Sequence, residues 1–121
     1  MTTYVSGSKI SRFPVEVVST PQALQQGLSN RTYLQPRHGM LFKFAKEGVQ
    51  SMWMPNMNFP LDIVWIDSNK TIVKINVNVQ PCSGTKNCTS YSSVYPVLYA
   101  IELNANDASQ IGLHVGLQLS F

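Results

Sequence analysis

Two acidic side chains lie in strongly apolar stretches of the sequence, where an unpaired charge is costly. Asp62 opens one apolar run and Glu102 lies inside another. If both faced one site, they could act as a paired acid and base, as the carboxylates of glycosidases do. The alternative is structural: Asp62 caps a turn at residues 56–59 through backbone N–H groups, and Glu102 pairs with Arg31. We expect the structural roles.

A second group of residues has the chemistry of a soft-metal site. Met52, Met54 and Met57 lie close together around Trp53, and His38 comes from a nearby block. Thioether and imidazole groups are ligands that Cu(I) accepts. Methionine also fills gaps in apolar cores, and we favour that interpretation. We therefore predict no bound metal and no cofactor.

Other catalytic signatures are missing. His38 and His114 are the two histidines, and no serine lies in a strand-turn-helix elbow. Glycine-rich phosphate loops are also absent from the sequence. The pattern argues against an enzyme.

Cys82 and Cys88 are six positions apart in a loop rich in Gly, Ser and Asn. That spacing does not fit the two-residue gap of zinc or redox motifs. A disulfide between them is the preferred interpretation, and two free thiols are the alternative. A disulfide indicates an oxidising, extracytoplasmic compartment. Asn87-Cys88-Thr89 also matches a glycosylation sequon.

Tyrosines surround the same loop. Tyr91, Tyr95 and Tyr99 lie in or beside it, together with Asn87, Ser90, Ser92 and Ser93. Such a composition suits contacts with sugars or protein partners. Loops on a rigid β scaffold are common binding sites. The alternative is that Tyr99 belongs to the core and the other two only cover the loop.

Composition limits the class of protein. The chain has 121 residues, which fits one domain. Charged residues make up 12%, and the nine Lys and Arg residues are scattered despite a net charge of +3. Nucleic-acid interfaces usually cluster such residues, so we expect no nucleic-acid partner. No apolar run reaches the roughly 18 residues of a transmembrane helix.

The elements that must position these residues are mostly strands. Alternating or apolar segments predict about seven strands in a compact antiparallel barrel or sandwich with two short helices. We assign residues 1–12 to an N-terminal extension and 13–121 to a single β-rich domain. Residues 39–54 are expected to form a hairpin, and residues 71–79 a strand with strict alternation. The helices are expected at residues 20–27 and 108–111, the first capped by Thr20.

Four blocks of the sequence resemble one known family. They are Gly27-Leu28-Ser29-Asn30-Arg31, Gly39-Met40-Leu41-Phe42, residues 53–63 and Glu102-Leu103-Asn104-Ala105. In order and spacing they are similar to domain of unknown function 192, from Val15 to Phe121. Pro55 stands where the family tends to have lysine.

The resemblance implies a compact, β-rich and often exported domain without an established reaction. We predict a non-enzymatic module that binds a ligand or partner, with a glycan or a surface protein as candidates. Self-association into an extracellular structure is the alternative, followed by a carbohydrate- or wall-active enzyme. The candidate binding residues are Asn56, Asp62, Glu102, Asn104, Arg31, Trp53, Tyr91 and Tyr95.

Overall fold

The described residues form nine strands and two short helices. The structure is a computed structural model that describes residues 1–52, 57–82 and 88–121. The strands are β1 (Thr2–Gly7), β2 (Phe13–Val18), β3 (Gly39–Gly48), β4 (Ser51–Met52), β5 (Leu61–Ile66), β6 (Ile72–Val79), β7 (Tyr91–Ser92), β8 (Val97–Asn104) and β9 (Leu119–Ser120). The helices are α1 (Pro21–Gln26) and α2 (Asp107–Ile111).

Seven strands form one curled sheet in the order β6-β5-β8-β3-β2-β1-β9, and β4 pairs with β7 in a small second sheet. A bridge between Thr71 and Gln118 links the two ends of the strand order, so the sheet is a half-barrel. The mainly β fold with two short helices is therefore confirmed. One pair departs from the antiparallel pattern: β2 and β3 are parallel. Parallel neighbours need a crossover connection, and α1 lies in it.

The sheet has apolar side chains on both faces because a helix covers each one. One face, here the α2 face, carries a core cluster that includes Ile101, Leu103 and the α2 residue Ala108. The other, the α1 face, carries a cluster with Phe42 and Trp65, against which Leu24 of α1 packs. Every residue of β5 is buried, as expected for a strand covered on both faces.

The start of α1 follows the sequence prediction. Thr20 precedes the helix in an extended conformation, and its side chain accepts a hydrogen bond from Ala23 N at 3.2 Å. Pro21 occupies the first helical position, where its missing N–H costs nothing.

The predicted hairpin at residues 39–54 is wrong. β3 is a single ten-residue strand that pairs with β8 on one edge and β2 on the other. Since both of its edges are occupied, the following segment cannot fold back on it. β4 pairs with β7 instead.

The strict alternation predicted for residues 71–79 is also interrupted. The register between β5 and β6 shifts twice, and Asn78 adopts a φ of 52°. Val77, expected on the apolar side, is 68% exposed. The side chain of Asn76 accepts a hydrogen bond from Trp65 Nε1 at 2.8 Å. Each bulge turns the following side chains to the opposite face.

The N-terminal segment belongs to the sheet. β1 pairs with β2 and with β9, and Val5 is fully buried in the core on the α2 face. Residues 2–7 are therefore a structural strand of the domain, which corrects the expected extension at residues 1–12. None of the helices formed by the described residues has the length and apolar character needed to cross a membrane.

Candidate functional site

The strand register separates the two carboxylates that the sequence set in apolar surroundings. Asp62 of β5 is paired with Leu103 of β8, whereas Glu102 is paired with Ile63. Paired residues share a face and successive residues alternate. Asp62 therefore lies on the α2 face and Glu102 on the α1 face. They cannot act as a pair across one substrate.

Asp62 has a structural role. It is fully buried, and its two oxygens accept backbone N–H groups from Asn78 at 2.9 Å and Ala108 at 3.1 Å. One bond holds the bulge in β6 and the other holds the start of α2. The expectation that it caps residues 56–59 is corrected, since its partners are elsewhere in the sequence.

Arg31 pairs with Glu16 and not with Glu102. The shortest distance between Arg31 Nη2 and the Glu16 carboxyl is 3.0 Å, in a half-exposed pair. In the row of paired residues across the sheet, Met40 of β3 separates Glu16 from Glu102. Neighbouring strands are about 4.8 Å apart, so the backbones of Glu16 and Glu102 are roughly 10 Å apart. The predicted pairing of Glu102 with Arg31 is wrong.

One oxygen of Glu102 lacks a hydrogen-bond partner in the described part of the chain. That oxygen is Oε1, and the residue as a whole is 4% exposed. Burial raises the pKa of the Glu102 carboxyl to about 8, because the charged form loses its hydration. At neutral pH most molecules therefore carry a neutral carboxylic acid here.

The carboxyl lines a cleft of about 180 Å³ between α1, β3 and β4, here called the Glu102 cleft. Its walls combine apolar and thioether side chains with a few polar groups. They are Leu24, Gln25, Gln26, Gly27, Leu28, Ser29, Phe42, Ser51, Met52 and Met57.

Gly27 keeps this cleft open. It ends α1 with a φ of +49°, a conformation that residues with a Cβ rarely adopt. A Cβ at this position would lie 3.1 Å from Phe42 Cζ and 3.6 Å from Glu102 Oε1. A larger residue would push against the ring and fill the space beside the carboxyl.

The remaining candidate residues are dispersed. Asn104 is a structural residue whose side chain donates to Leu34 O at 2.6 Å. Tyr91 is half-buried and packs against the apolar cluster of the α1 face. Trp53 and Asn56 lie outside the described residues.

The candidate copper ligands that the structure describes lie in two different places. Met52 and Met57 line the Glu102 cleft, whereas His38 lines a separate hollow beside Arg31. Met54 lies outside the described residues. Within the described part of the chain, no three His, Cys, Asp or Glu side chains are grouped as metal ligands.

Tyr95 lies on a second, shallower groove. The ring is 54% exposed, and the groove beside it is also lined by Glu47, Asp67 and Asn69. Ser93 fixes this loop: its buried hydroxyl accepts from Gln50 N at 3.0 Å and donates to Tyr95 O at 2.8 Å.

The predicted disulfide is present. Cys82 and Cys88 are bonded, with their Cα atoms 5.6 Å apart. It joins the two ends of the segment rich in Gly, Ser and Asn.

Comparison with known proteins agrees with this fold. The profile of domain of unknown function 192, described as an uncharacterized ACR, matches residues 2–121. The chain belongs to this family. No curated protein matches it.

Two solved structures of bacterial proteins are similar to this member of the family. One is a candidate transcription regulator from Sinorhizobium meliloti 1021, which is 32% identical with a TM-score of 0.87. That likeness covers 98% of this chain and 91% of the other. The second is a protein of unknown function from Novosphingobium aromaticivorans DSM 12444, 26% identical with a TM-score of 0.84. It covers 98% of this chain and 82% of the other.

Several cleft residues were not selected from the sequence. Leu24 lies in the helix expected at residues 20–27 and Phe42 in the hairpin expected at residues 39–54, and neither was given a role in binding. Gly27 and Phe42 both lie in the blocks that carry the family resemblance, and so does Glu102. That shared membership was the available signal that they belong together.

Proposed function

We propose that the protein is an extracytoplasmic, non-enzymatic binding module that holds a small ligand in the Glu102 cleft. The observation that carries the proposal is the buried Glu102 carboxyl with an oxygen that no described residue satisfies. Leaving a buried polar group unpaired costs about 1–3 kcal/mol. A ligand that hydrogen bonds to it recovers that free energy on binding.

The cleft has the general features of a ligand site. Such sites combine apolar walls with a few convergent polar groups, and titratable residues with shifted pKa values concentrate in them. The volume of about 180 Å³ exceeds the roughly 150 Å³ that suffices for a benzene-sized molecule. A ligand of about seven heavy atoms is therefore the expected size.

The extracytoplasmic location rests on the disulfide between Cys82 and Cys88. Such bonds persist in oxidising compartments and are rare in the cytosol. Thiol labelling of the protein in intact source cells tests the location. We expect both cysteines to be protected until a reductant is added, and labelling of both in a cytosolic fraction would contradict the proposal.

Methionine methyl NMR tests binding directly. The chain has five methionines, of which Met52 and Met57 line the cleft. Met1 precedes β1 and is exposed, and its carbonyl accepts a hydrogen bond from Val17 N. Compounds from a fragment library that enter the cleft should shift the Met52 and Met57 methyl signals and leave Met1 unchanged. The proposal fails if no compound of this size range shifts the two cleft signals saturably.

The Tyr95 groove supports a second candidate, recognition of a glycan. Val94 holds a φ of 65°, a strained conformation for a β-branched residue. The exposed ring of the next residue, Tyr95, lines the groove together with Asp67 and Asn69. An aromatic face with carboxylate and amide groups suits a sugar ring and its hydroxyls. A glycan array with the wild type and Tyr95→Ala tests this: specific binding lost in the variant supports it, and silence of the wild type refutes it.

Self-association through a sheet edge has weaker support. β6 is the edge strand beside β5, and its two register shifts distort the row of N–H and C=O groups that a second copy would need. Bulges of this kind are a common protection of exposed edges. Light scattering over a dilution series measures the outcome, and we expect a constant monomer mass.

A further inference from the structure

We propose that the ligand of the Glu102 cleft is a small aliphatic amine, bound as its ammonium ion against the Glu102 carboxylate. This inference rests on the proposed function, since it assigns a chemical class to the ligand of that same cleft.

The charged residues around the cleft support a cationic ligand. No Lys, Arg, His, Asp or second Glu is among the described residues that line the cleft. Charged side chains that reach the α1 face have partners elsewhere: Glu16 binds Arg31, and Lys74 Nζ donates to Ser92 O at 3.0 Å. No described residue of the cleft supplies a counter-charge for the Glu102 carboxylate, and we assign that role to the ligand.

The hydrogen-bonding capacity of the site also supports an ammonium group. An ionised carboxylate only accepts hydrogen bonds, and an alkylammonium group offers three donors. The ammonium group thus donates hydrogen bonds to the carboxyl oxygens and at the same time neutralises their charge. A neutral alcohol donates one bond without the charge, and a carboxylate ligand is repelled. Charge-assisted hydrogen bonds of this kind are about twice as strong as neutral ones.

The walls define the rest of the ligand. Leu24, Leu28 and the thioethers of Met52 and Met57 offer an apolar lining for an alkyl chain. The ring edge of Phe42 and Glu102 Oε1 both lie close to the position of a Cβ on Gly27. The Phe42 ring therefore adds apolar surface beside the carboxyl. A chain of about five carbons matches the volume.

A titration with three compounds of equal length tests the inference. Pentylamine, pentanol and pentanoate are added at pH 8 to protein with labelled methionine methyl groups. We expect pentylamine to shift the Met52 and Met57 signals at least tenfold more tightly than pentanol, and pentanoate to have no effect. Glu102→Gln should weaken pentylamine binding at least tenfold. Glu16→Gln, which removes a carboxylate of the same face outside the cleft, should leave it unchanged.

The pH dependence of pentylamine binding to the wild-type protein tests the ion pair without a variant. The amine keeps its proton below about pH 10, whereas Glu102 must lose its own to form the ion pair. With the pKa of Glu102 at about 8, the affinity for pentylamine should rise about tenfold between pH 6 and pH 7 and level off above pH 8. Affinity that is flat or falls with pH refutes the ion pair.

The possible results distinguish a failure of the amine assignment from a failure of the proposed function. Pentanol binding as tightly as pentylamine refutes the amine and leaves the cleft as a ligand site. The amine is also refuted if pentylamine has no effect but a fragment of another class shifts the cleft signals. In that case too the cleft remains a ligand site. If neither these compounds nor any fragment shifts them, both the inference and the proposed function fail.

Discussion

Glu102→Gln should make the protein more stable than the wild type at neutral pH. The wild type should lose stability as the pH rises from mildly acidic to alkaline, and the variant should lose much less. The wild-type carboxyl is buried without a hydrogen-bond donor for Oε1 among the described residues. Its pKa rises from 4.5 to about 8 on folding. Between these two pH values the folded state keeps a proton that the unfolded state releases, so stability falls as pH rises.

The magnitude follows from the size of that shift. Each unit of pKa difference corresponds to about 1.4 kcal/mol. The free energy of unfolding contributed by this group is therefore fully present below pH 4.5, is reduced by about 3 kcal/mol at pH 7, and is reduced by about 5 kcal/mol above pH 8. A glutamine of the same shape has no proton to lose. Its amide also carries no charge to desolvate, so the variant should keep the stability of the protonated wild type.

Urea unfolding at intervals between pH 4.5 and 8.5, followed by far-ultraviolet circular dichroism, measures both curves. We expect the difference between variant and wild type to widen steadily with pH. Glu16→Gln is the matched control, because Glu16 lies on the same face in a half-exposed pair. Parallel curves for Glu102→Gln and the wild type would refute the assignment of Glu102 as a buried, uncompensated carboxyl.

Three further variants test the structural roles, each by urea unfolding. Asp62→Asn should cost about 1–3 kcal/mol, because one of two backbone donors loses its acceptor. Asp67→Asn is its control, because a single oxygen of Asp67 accepts both N–H groups of its turn and asparagine keeps one such oxygen. Equal losses of stability in the two variants would contradict the role of Asp62. Ser93→Ala should cost about 1–3 kcal/mol and speed amide exchange around residue 50, and unchanged exchange there would count against it. Gly39→Ala should cost about 1–3 kcal/mol through overpacking, since a Cβ would lie 2.9 Å from Leu103 Cδ2; a neutral result would show that β3 can shift.

Local patterns predicted the elements better than their partners. Thr20, Pro21 and Gly27 mark the ends of α1 because capping and φ preferences act within a few residues. The apolar run ending at Ile66 is a strand for a similarly local reason. The predicted hairpin at residues 39–54 failed because the edges of β3 are taken by β2 and β8, which lie far away in the sequence.

For the candidate site too, local sequence indicated the residues but not their partners. The sequence selected Glu102 because a carboxylate between apolar strand residues needs an explanation, and it selected Asp62 for the same reason. It could not distinguish them. Asp62 received two backbone donors from β6 and α2, whereas Glu102 received none from the described residues.

By itself the sequence determined the class of fold, the disulfide between Cys82 and Cys88 and the importance of two acidic residues, because composition, spacing and alternation are local properties. Only the tertiary structure decided which acid is satisfied. One residue of register in β8 turns a side chain from one face of the sheet to the other. Position 102 therefore points to the cleft under α1, and its partner in β5, one residue from Asp62, is Ile63.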